Sequence, residues 1–380
     1  MGGSKATAHE VWLNQQEKDW SAGQDLRLAA DKEVGFLVSG LADTGNVWND
    51  VGSPLTHTTT ASNHPVRAFE NVPVVSVVIP AYNCAETIIV CLGSVLGQSY
   101  PQDRFEVIVV DDGSTDETAA IAKAFAETWE GRFILVSQAN AGPAAARNAG
   151  IHAASGDIVA FIDADCIAAC DWLERLVHVF QQHPDVAGVG GPLHNAAQVN
   201  TLVARYLIAV EFYRHRVRKG EVEYLLTANA AFLRSALLDV GGFAERRRAW
   251  AEDADLSFRL LRSGYVLLHA PSGSVTHIGV LESIRSLASG LYRYGFGNAI
   301  LAPGWPVERS AGRQFVRHAG AIVLAPLLAL RLRHRVGWRV ALAFCPLIAI
   351  EHIAFSAGLV SGLVRGWITT EIRWERNRIG

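Results

Sequence analysis

An excess of charge of either sign is absent from this sequence. Across 380 residues, 34 lysines and arginines stand against 37 aspartates and glutamates, a formal net charge of −3. That balance excludes a chain that holds nucleic acid through a basic surface, and a hydrophobic content of one half excludes a disordered chain. Cysteine is sparse as well. The five (Cys84, Cys91, Cys166, Cys170 and Cys345) form no zinc-type double pair, and they read as buried thiols in a reducing compartment, not as a disulfide framework. The first forty residues hold no sustained apolar core, so no secretory signal is expected. A glycine-rich phosphate loop is also missing after the first predicted strand, where Pro80-Ala-Tyr-Asn83 stands instead. That absence argues against a sugar nucleotidyltransferase and against a dinucleotide oxidoreductase.

From residue 74 onward the sequence carries alternating strand and helix signals. Val74–Ile79, Phe105–Val110, Phe133–Val136 and Ile158–Ile162 are apolar runs of the kind buried on both faces of a parallel sheet. Between them, Ala85–Gln98 has apolar residues at helical spacing. Ser114 with Glu117 predicts a capping box opening a helix to Trp129, and Pro143 suits the first turn of a helix to about Ala154. Strand and helix in alternation imply right-handed crossovers, and ligands of such sheets bind beyond the carboxyl ends of the strands. Polar residues gather at those ends: Tyr82-Asn83, Asp111-Asp112-Gly113-Ser114, Asn140-Ala141-Gly142 and Asp163-Ala164-Asp165. Side chains two apart in an extended chain leave on one side, so Asp163 and Asp165 are expected to converge. Convergence is costly unless protons or a cation relieve it, and a hard divalent ion with open positions for phosphate suits the pair. An Asp-x-Asp alone also fits an ordinary solvated turn; four polar strand ends together describe one crevice.

Set side by side, Val75-Ser-Val-Val-Ile-Pro-Ala-Tyr-Asn83, Val110-Asp-Asp-Gly-Ser-Thr-Asp116, Asn140-Ala-Gly-Pro-Ala-Ala-Ala-Arg-Asn-Ala-Gly150 and Phe161-Ile-Asp-Ala-Asp165 resemble the family 2 inverting glycosyltransferases. Thr227-Ala-Asn-Ala-Ala-Phe232, Val240-Gly-Gly-Phe243 and Glu252-Asp-Ala-Asp-Leu256 extend the resemblance over residues 72 to 280 or so. It implies a GT-A fold, an α/β architecture with a mainly parallel sheet, a nucleotide-diphosphate sugar donor (a UDP-sugar) and a divalent metal, Mn2+ or Mg2+. It also implies roles. Pro80, Ala81, Tyr82 and Asn83 would line the donor pocket, Asp112 would accept a hydrogen bond from the base, and Arg147 would sit near the nucleotide. Asp163 would lie by the ribose and metal, and Asp165 would ligate the metal, with His277 completing its shell in some members. Asp253 would be the general base, beside Glu252 in the substrate site. The residues by themselves leave one alternative open, because Ala254–Ser263 reads as a helix and Asp253 also fits its N-cap. Processive members carry Gln-x-x-Arg-Trp; Gly290-Leu-Tyr-Arg-Tyr294 lacks the Gln and the Trp, which implies a non-processive enzyme with Arg293 as a diphosphate contact.

The carboxyl-terminal region has two apolar runs, 319–330, too short to span a bilayer, and Ala341–Val364, interrupted by Pro346, Glu351 and His352. Arg331, Arg333, Arg335 and Arg339 lie between them, and Arg365, Arg373, Arg376 and Arg378 follow. Arginines at both ends suit an interfacial or re-entrant segment better than a single span, and a buried helical pair inside a soluble domain is the alternative. The expected organisation is an extension and linker (1–70), a nucleotide-sugar half (71–195), an acceptor half with the base (196–280), an amphipathic connection (281–318) and membrane-associated helices (319–380). The expected activity is transfer of one sugar to a glycan or lipid-linked acceptor at the cytoplasmic face of the cell membrane, in cell-envelope or exopolysaccharide synthesis. A catalytically silent nucleotide-sugar-binding subunit is the alternative.

Overall fold

The computed structural model describes residues 69, 71–195, 201–215, 220–245, 251–278, 283–301 and 311–379. Apart from Phe69, the expected extension over 1–70 lies outside the described residues. The amino-terminal part runs β1 (Val75–Ala81), α1 (Ala85–Leu96), β2 (Phe105–Asp111), α2 (Thr118–Thr128), β3 (Arg132–Ser137), α3 (Pro143–Ala153) and β4 (Ile158–Phe161). The middle comprises β5 (Cys166–Ala168), α4 (Trp172–Gln182), β6 (Val186–Gly190), β7 (Leu193–Asn195), α5 (Leu202–His215), β8 (Gly220–Glu221), β9 (Ala230–Leu233), α6 (Arg234–Asp239), α7 (Glu252–Arg262), β10 (Val266–His269) and β11 (Val275–His277). Helices α8 (Ile284–Leu301), α9 (Ala311–Val323), α10 (Ala325–Arg331), α11 (Arg333–Val336), α12 (Trp338–Ala343) and α13 (Cys345–Ile379) follow.

The main sheet has the order β3-β2-β1-β4-β9-β6-β10-β8. Strands β1 to β4 are parallel, as the strand and helix alternation predicts. Strand β9 is antiparallel to both β4 and β6, and β8 to β10, so the sheet is mixed. Strand β9 enters from the 196–280 segment and sits between two strands of the 71–195 segment. The apolar runs bury both faces. Val75, Val77 and Ile79 of β1 pack on Ile88, Leu92 and Val95 of α1, while Val78 faces Ala146 and Ile151 of α3. Each such side chain contributes roughly 1.5–3 kcal/mol on burial. Helix α3 lies close because Gly150 has no side chain: a Cβ there would meet Val78 Cγ1 at 2.3 Å.

Several local expectations are corrected. Helix α2 opens at Thr118, where Asp116 Oδ1 accepts the Thr118 N–H at 3.0 Å. Ser114 is drawn elsewhere, its Oγ accepting the Asn83 N–H at 3.0 Å, so no Ser114–Glu117 capping box forms. All five cysteines are free, but only Cys91 and Cys166 are buried; Cys84 and Cys345 are half-buried and Cys170 is exposed. The apolar run 319–330 is two helices that part at Leu324, and the second run is broken at Phe344. Trp338–Arg365 is the one candidate among the described residues that is long and apolar enough to cross a membrane. Its two polar interruptions turn inward: Glu351 and His352 are buried, Tyr206 of α5 hydrogen-bonds Glu351, and the His352 ring meets His318 of α9, Nδ1 to Nδ1, at 2.8 Å.

Candidate active site

One side of the crevice is built from the ends of β1, β2 and β3. Asp112, 3% exposed, accepts hydrogen bonds from Gln138 Nε2 (2.7 Å), Ala141 N (2.9 Å) and Gly142 N (2.8 Å). Three of its roughly four lone-pair sites are therefore committed to the loop after β3. Asn83, at φ 47°, is committed too: its Oδ1 accepts the Thr115 N–H at 2.8 Å. Ala81 turns its methyl into the core, and its carbonyl accepts the Asp112 N–H at 2.8 Å, so it presents no side chain to the crevice. Pro80 is half-buried and Tyr82 is 51% exposed.

Strand β4 ends at Phe161, so residues 163–165 form a turn into β5 and strand alternation does not bring the two carboxylates together. The Cys166 N–H donates to the Asp163 carbonyl at 3.0 Å, which closes this turn. The two aspartates then take different partners. Asp163 Oδ1 accepts from Arg147 Nη2 at 2.9 Å. Asp165 Oδ2 lies 3.2 Å from His277 Nε2. That second pairing follows from the small sheet β5-β11-β7, whose antiparallel register sets His277 opposite Cys166. Burial pushes the Asp165 carboxyl up, but the hydrogen bond and charge of His277 outweigh it and hold the group below the usual carboxylate range.

Asp165, Cys166 and His277 offer ligand atoms within 4.8 Å of one another; Asp163 stands outside this group. Burial, with the nearby Asp163 and Asp165 charges, pushes the Cys166 thiol far up, so in the metal-free protein it is a neutral sulfur. The remaining donors, a carboxylate oxygen and an imidazole nitrogen, fit a divalent ion such as Mn2+. The surrounding charge is acidic as well: Asp163, Glu252 and Asp253 gather around the Arg147 guanidinium.

Helix α7 begins at Glu252, with Ala251 before it at φ 96°. A left-handed alanine costs on the order of 1–3 kcal/mol, strain of a kind that collects at functional sites. Asp253 is therefore inside the first turn and is not the N-cap; its Oδ1 accepts the Ala254 N–H at 2.8 Å. Burial, with the Glu252 charge next, pushes the Asp253 carboxyl up to about 7. Glu252 Oε1 accepts from Arg147 Nη1 at 2.7 Å.

Arg293 is exposed on α8. Its neighbour Tyr294 escaped the sequence reading. The Tyr294 residue is 49% exposed, yet burial of its hydroxyl, with the charges of Asp253, Glu252 and Asp163 next, pushes its pKa up. The available signal was its place directly after Arg293, where processive relatives carry Trp.

Residues 76–241 match the family described as Glycosyl transferase family 2. Glycosyltransferase AglE of Haloferax volcanii is 48% identical over 103 residues, 27% of this chain and 34% of that protein. Glycosyltransferase GlyA of Streptococcus pneumoniae is 40% identical over 101 residues, 27% of this chain and 13% of that protein. The chain thus spans about a third or less of the length of these relatives. Among solved structures, mannosyltransferase PcManGT from Pyrobaculum calidifontis, in complex with GDP-Man and Mn2+, superposes at a TM-score of 0.57 with 24% identity. The superposition covers 79% of this chain and 91% of that one, a likeness of fold.

Proposed function

The chain carries a family 2 glycosyltransferase domain of GT-A fold, and from that premise we propose that it transfers one sugar from a nucleoside-diphosphate donor to an acceptor hydroxyl with inversion. The donor is a UDP-sugar and the acceptor a glycan or lipid-linked saccharide, in cell-envelope or exopolysaccharide synthesis. One observation carries this reading: a carboxylate raised to about 7, Asp253, follows Glu252, which Arg147 ties to Asp163 on the turn that carries Asp165. A base poised near the working pH is what deprotonation of an acceptor hydroxyl needs.

In the transfer step the acceptor oxygen bonds to the anomeric carbon from the face opposite the diphosphate. Its proton passes to Asp253, and the bond to the diphosphate oxygen breaks with its electron pair leaving on that oxygen. Asp165 and His277 would hold Mn2+ or Mg2+, which neutralises charge on the leaving diphosphate. Tyr82 lies exposed for stacking on the nucleoside, and Arg293 would reach the diphosphate. Asp163 keeps Oδ2 for the ribose side. The missing Gln-x-x-Arg-Trp motif favours a single transfer over processive synthesis.

The test is a panel of UDP- and GDP-sugars, with saccharide and lipid-linked acceptors, read as release of nucleoside diphosphate. GDP-sugars belong in it because the mannosyltransferase of the same fold binds GDP-Man with Mn2+. At least one donor should turn over with Mn2+ or Mg2+ and stop in excess chelator, and Asp165→Ala should abolish release without changing the melting temperature. Full activity in chelator would remove the metal, and no release from any pair would sink the transferase reading.

A further inference from the structure

Arg147 is 5% exposed, and two carboxylates from distant parts of the chain meet on it. Nη2 donates to Asp163 Oδ1 at 2.9 Å, on the turn that leads to Asp165. Nη1 donates to Glu252 Oε1 at 2.7 Å, on the residue before Asp253. Nε is buried with no partner, and the guanidinium carbon lies 5.7 Å from the centroid of the Phe243 ring. The next residue, Asn148, continues the pattern. Its Oδ1 accepts the Phe243 N–H at 2.7 Å, and its Nδ2 donates to the Phe243 carbonyl at 2.9 Å and to Glu245 Oε1 at 2.7 Å. Two consecutive residues of α3 therefore hold three segments: the turn after β4, the loop after α6, and the first turn of α7.

At 5% exposure, a guanidinium held between two carboxylates offers little surface to a nucleotide. We infer that Arg147 is a positioning residue that fixes the distance between the metal-side turn at Asp163 and the base-bearing turn at Glu252–Asp253, with Asn148 securing the loop that covers it; it is not a donor contact. The physics is that of a planar fork: the guanidinium presents its donors at fixed angles, so pairing both carboxylates at once sets their separation. A flexible ammonium cannot do this, because its donors are not held in one plane. Loss of the fork would also leave two partly buried carboxylates facing one another, and the turns bearing them would move apart. Transfer is sensitive to such movement, since a displacement of about 1 Å between reacting groups can cost on the order of 100-fold in rate. This inference rests on the proposed transferase reading for its kinetic consequence, but not for its structural one.

The test uses the full chain with Arg147→Met and Arg147→Lys. Hydrogen exchange should quicken in both variants at residues 163–166 and 251–256 together, while the strands of the main sheet stay protected. UDP and GDP, titrated without metal, should bind within about twofold of wild type. On whichever donor wild type turns over, kcat should fall about 100-fold for Met with the donor KM within threefold, and Lys should recover no more than about a tenth of the wild-type kcat. If Met does not fold, Lys decides alone, since it keeps the charge and loses only the fork. Unchanged exchange at both segments would overturn the inference. So would a donor KM raised tenfold or more at constant kcat, the signature of a direct donor contact, or a Lys variant with wild-type kcat. A wild-type chain that transfers nothing sinks the proposed function and leaves the exchange measurement able to decide on Arg147.

Discussion

Aspartate is a poor base at neutral pH until its surroundings change it, and at Asp253 they do. Burial and the adjacent Glu252 push its carboxyl up to about 7, so transfer should fall roughly tenfold per unit as pH drops below that value and level off above it. Asp253→Asn should lose about two to four orders of magnitude of transfer above about pH 7 while binding donor normally, and the gap to wild type should narrow as pH falls below that value. Stability should move the opposite way. A carboxyl raised in the folded state keeps its proton where the unfolded chain has released it, so its contribution is full below about pH 4 and is lost as pH rises through about 7. Metal-free Asp253→Asn should therefore melt above wild type at pH 8, by the equivalent of about 1–2 kcal/mol for a half-buried, partly screened group, and the gap should close toward pH 4. Near-normal transfer by a folded Asn variant would remove Asp253 from the mechanism. The residue was legible in Glu252-Asp-Ala-Asp-Leu256, and so was the Glu252 charge beside it; the burial, the larger cause of the altered acidity, comes only with folding.

At the scale of elements, the main feature is the crossing of α8 and α13. A Cβ on Gly358 would sit 1.9 Å from the Tyr292 carbonyl oxygen, and one on Gly295 would sit 2.0 Å from that of Phe355. The two backbones touch at glycines, a contact that any side chain would wedge open. Gly358→Val should lower the denaturation midpoint by the equivalent of about 1–3 kcal/mol or more. It should also speed hydrogen exchange in α8, which carries Arg293 and Tyr294, while β1 and β2 stay protected. An unchanged midpoint would mean that the crossing is not tight. Neither glycine belongs to a motif, which is why the sequence reading passed over them.

At the scale of the molecule, the carboxyl-terminal helices leave Val323 79% exposed, Leu327 61%, Trp338 60% and Ile353 53%. The polar groups of the same stretch, Glu351 and His352, are buried against α5 and α9. Apolar side chains outward and polar ones inward reverse the soluble pattern and suit an apolar surface edged by Arg331, Arg333 and Arg339. The protein should bind vesicles containing anionic lipid, less well in high salt, and Val323→Asp with Leu327→Asp should weaken that binding about tenfold or more without lowering the melting temperature. No partition of the wild-type chain onto vesicles would return these helices to a purely structural role. Attachment there would set the active site beside a lipid-borne acceptor.

The sequence by itself determined the parallel core β1 to β4, its crossovers and the crevice at its strand ends, because local period and burial on both faces leave those segments few alternatives. Through the motifs that carry them it marked Asp165, Arg147 and Asp253 as candidates for that crevice. Only the tertiary structure decided their partners. A three-residue register between β5 and β11 places His277 on Asp165, and a guanidinium buried between two turns joins Asp163 to Glu252. Partners more than a hundred residues apart, as Arg147 and Glu252 are at |i−j| 105, leave no periodic trace in the chain; the sheet that brings them together has first to form.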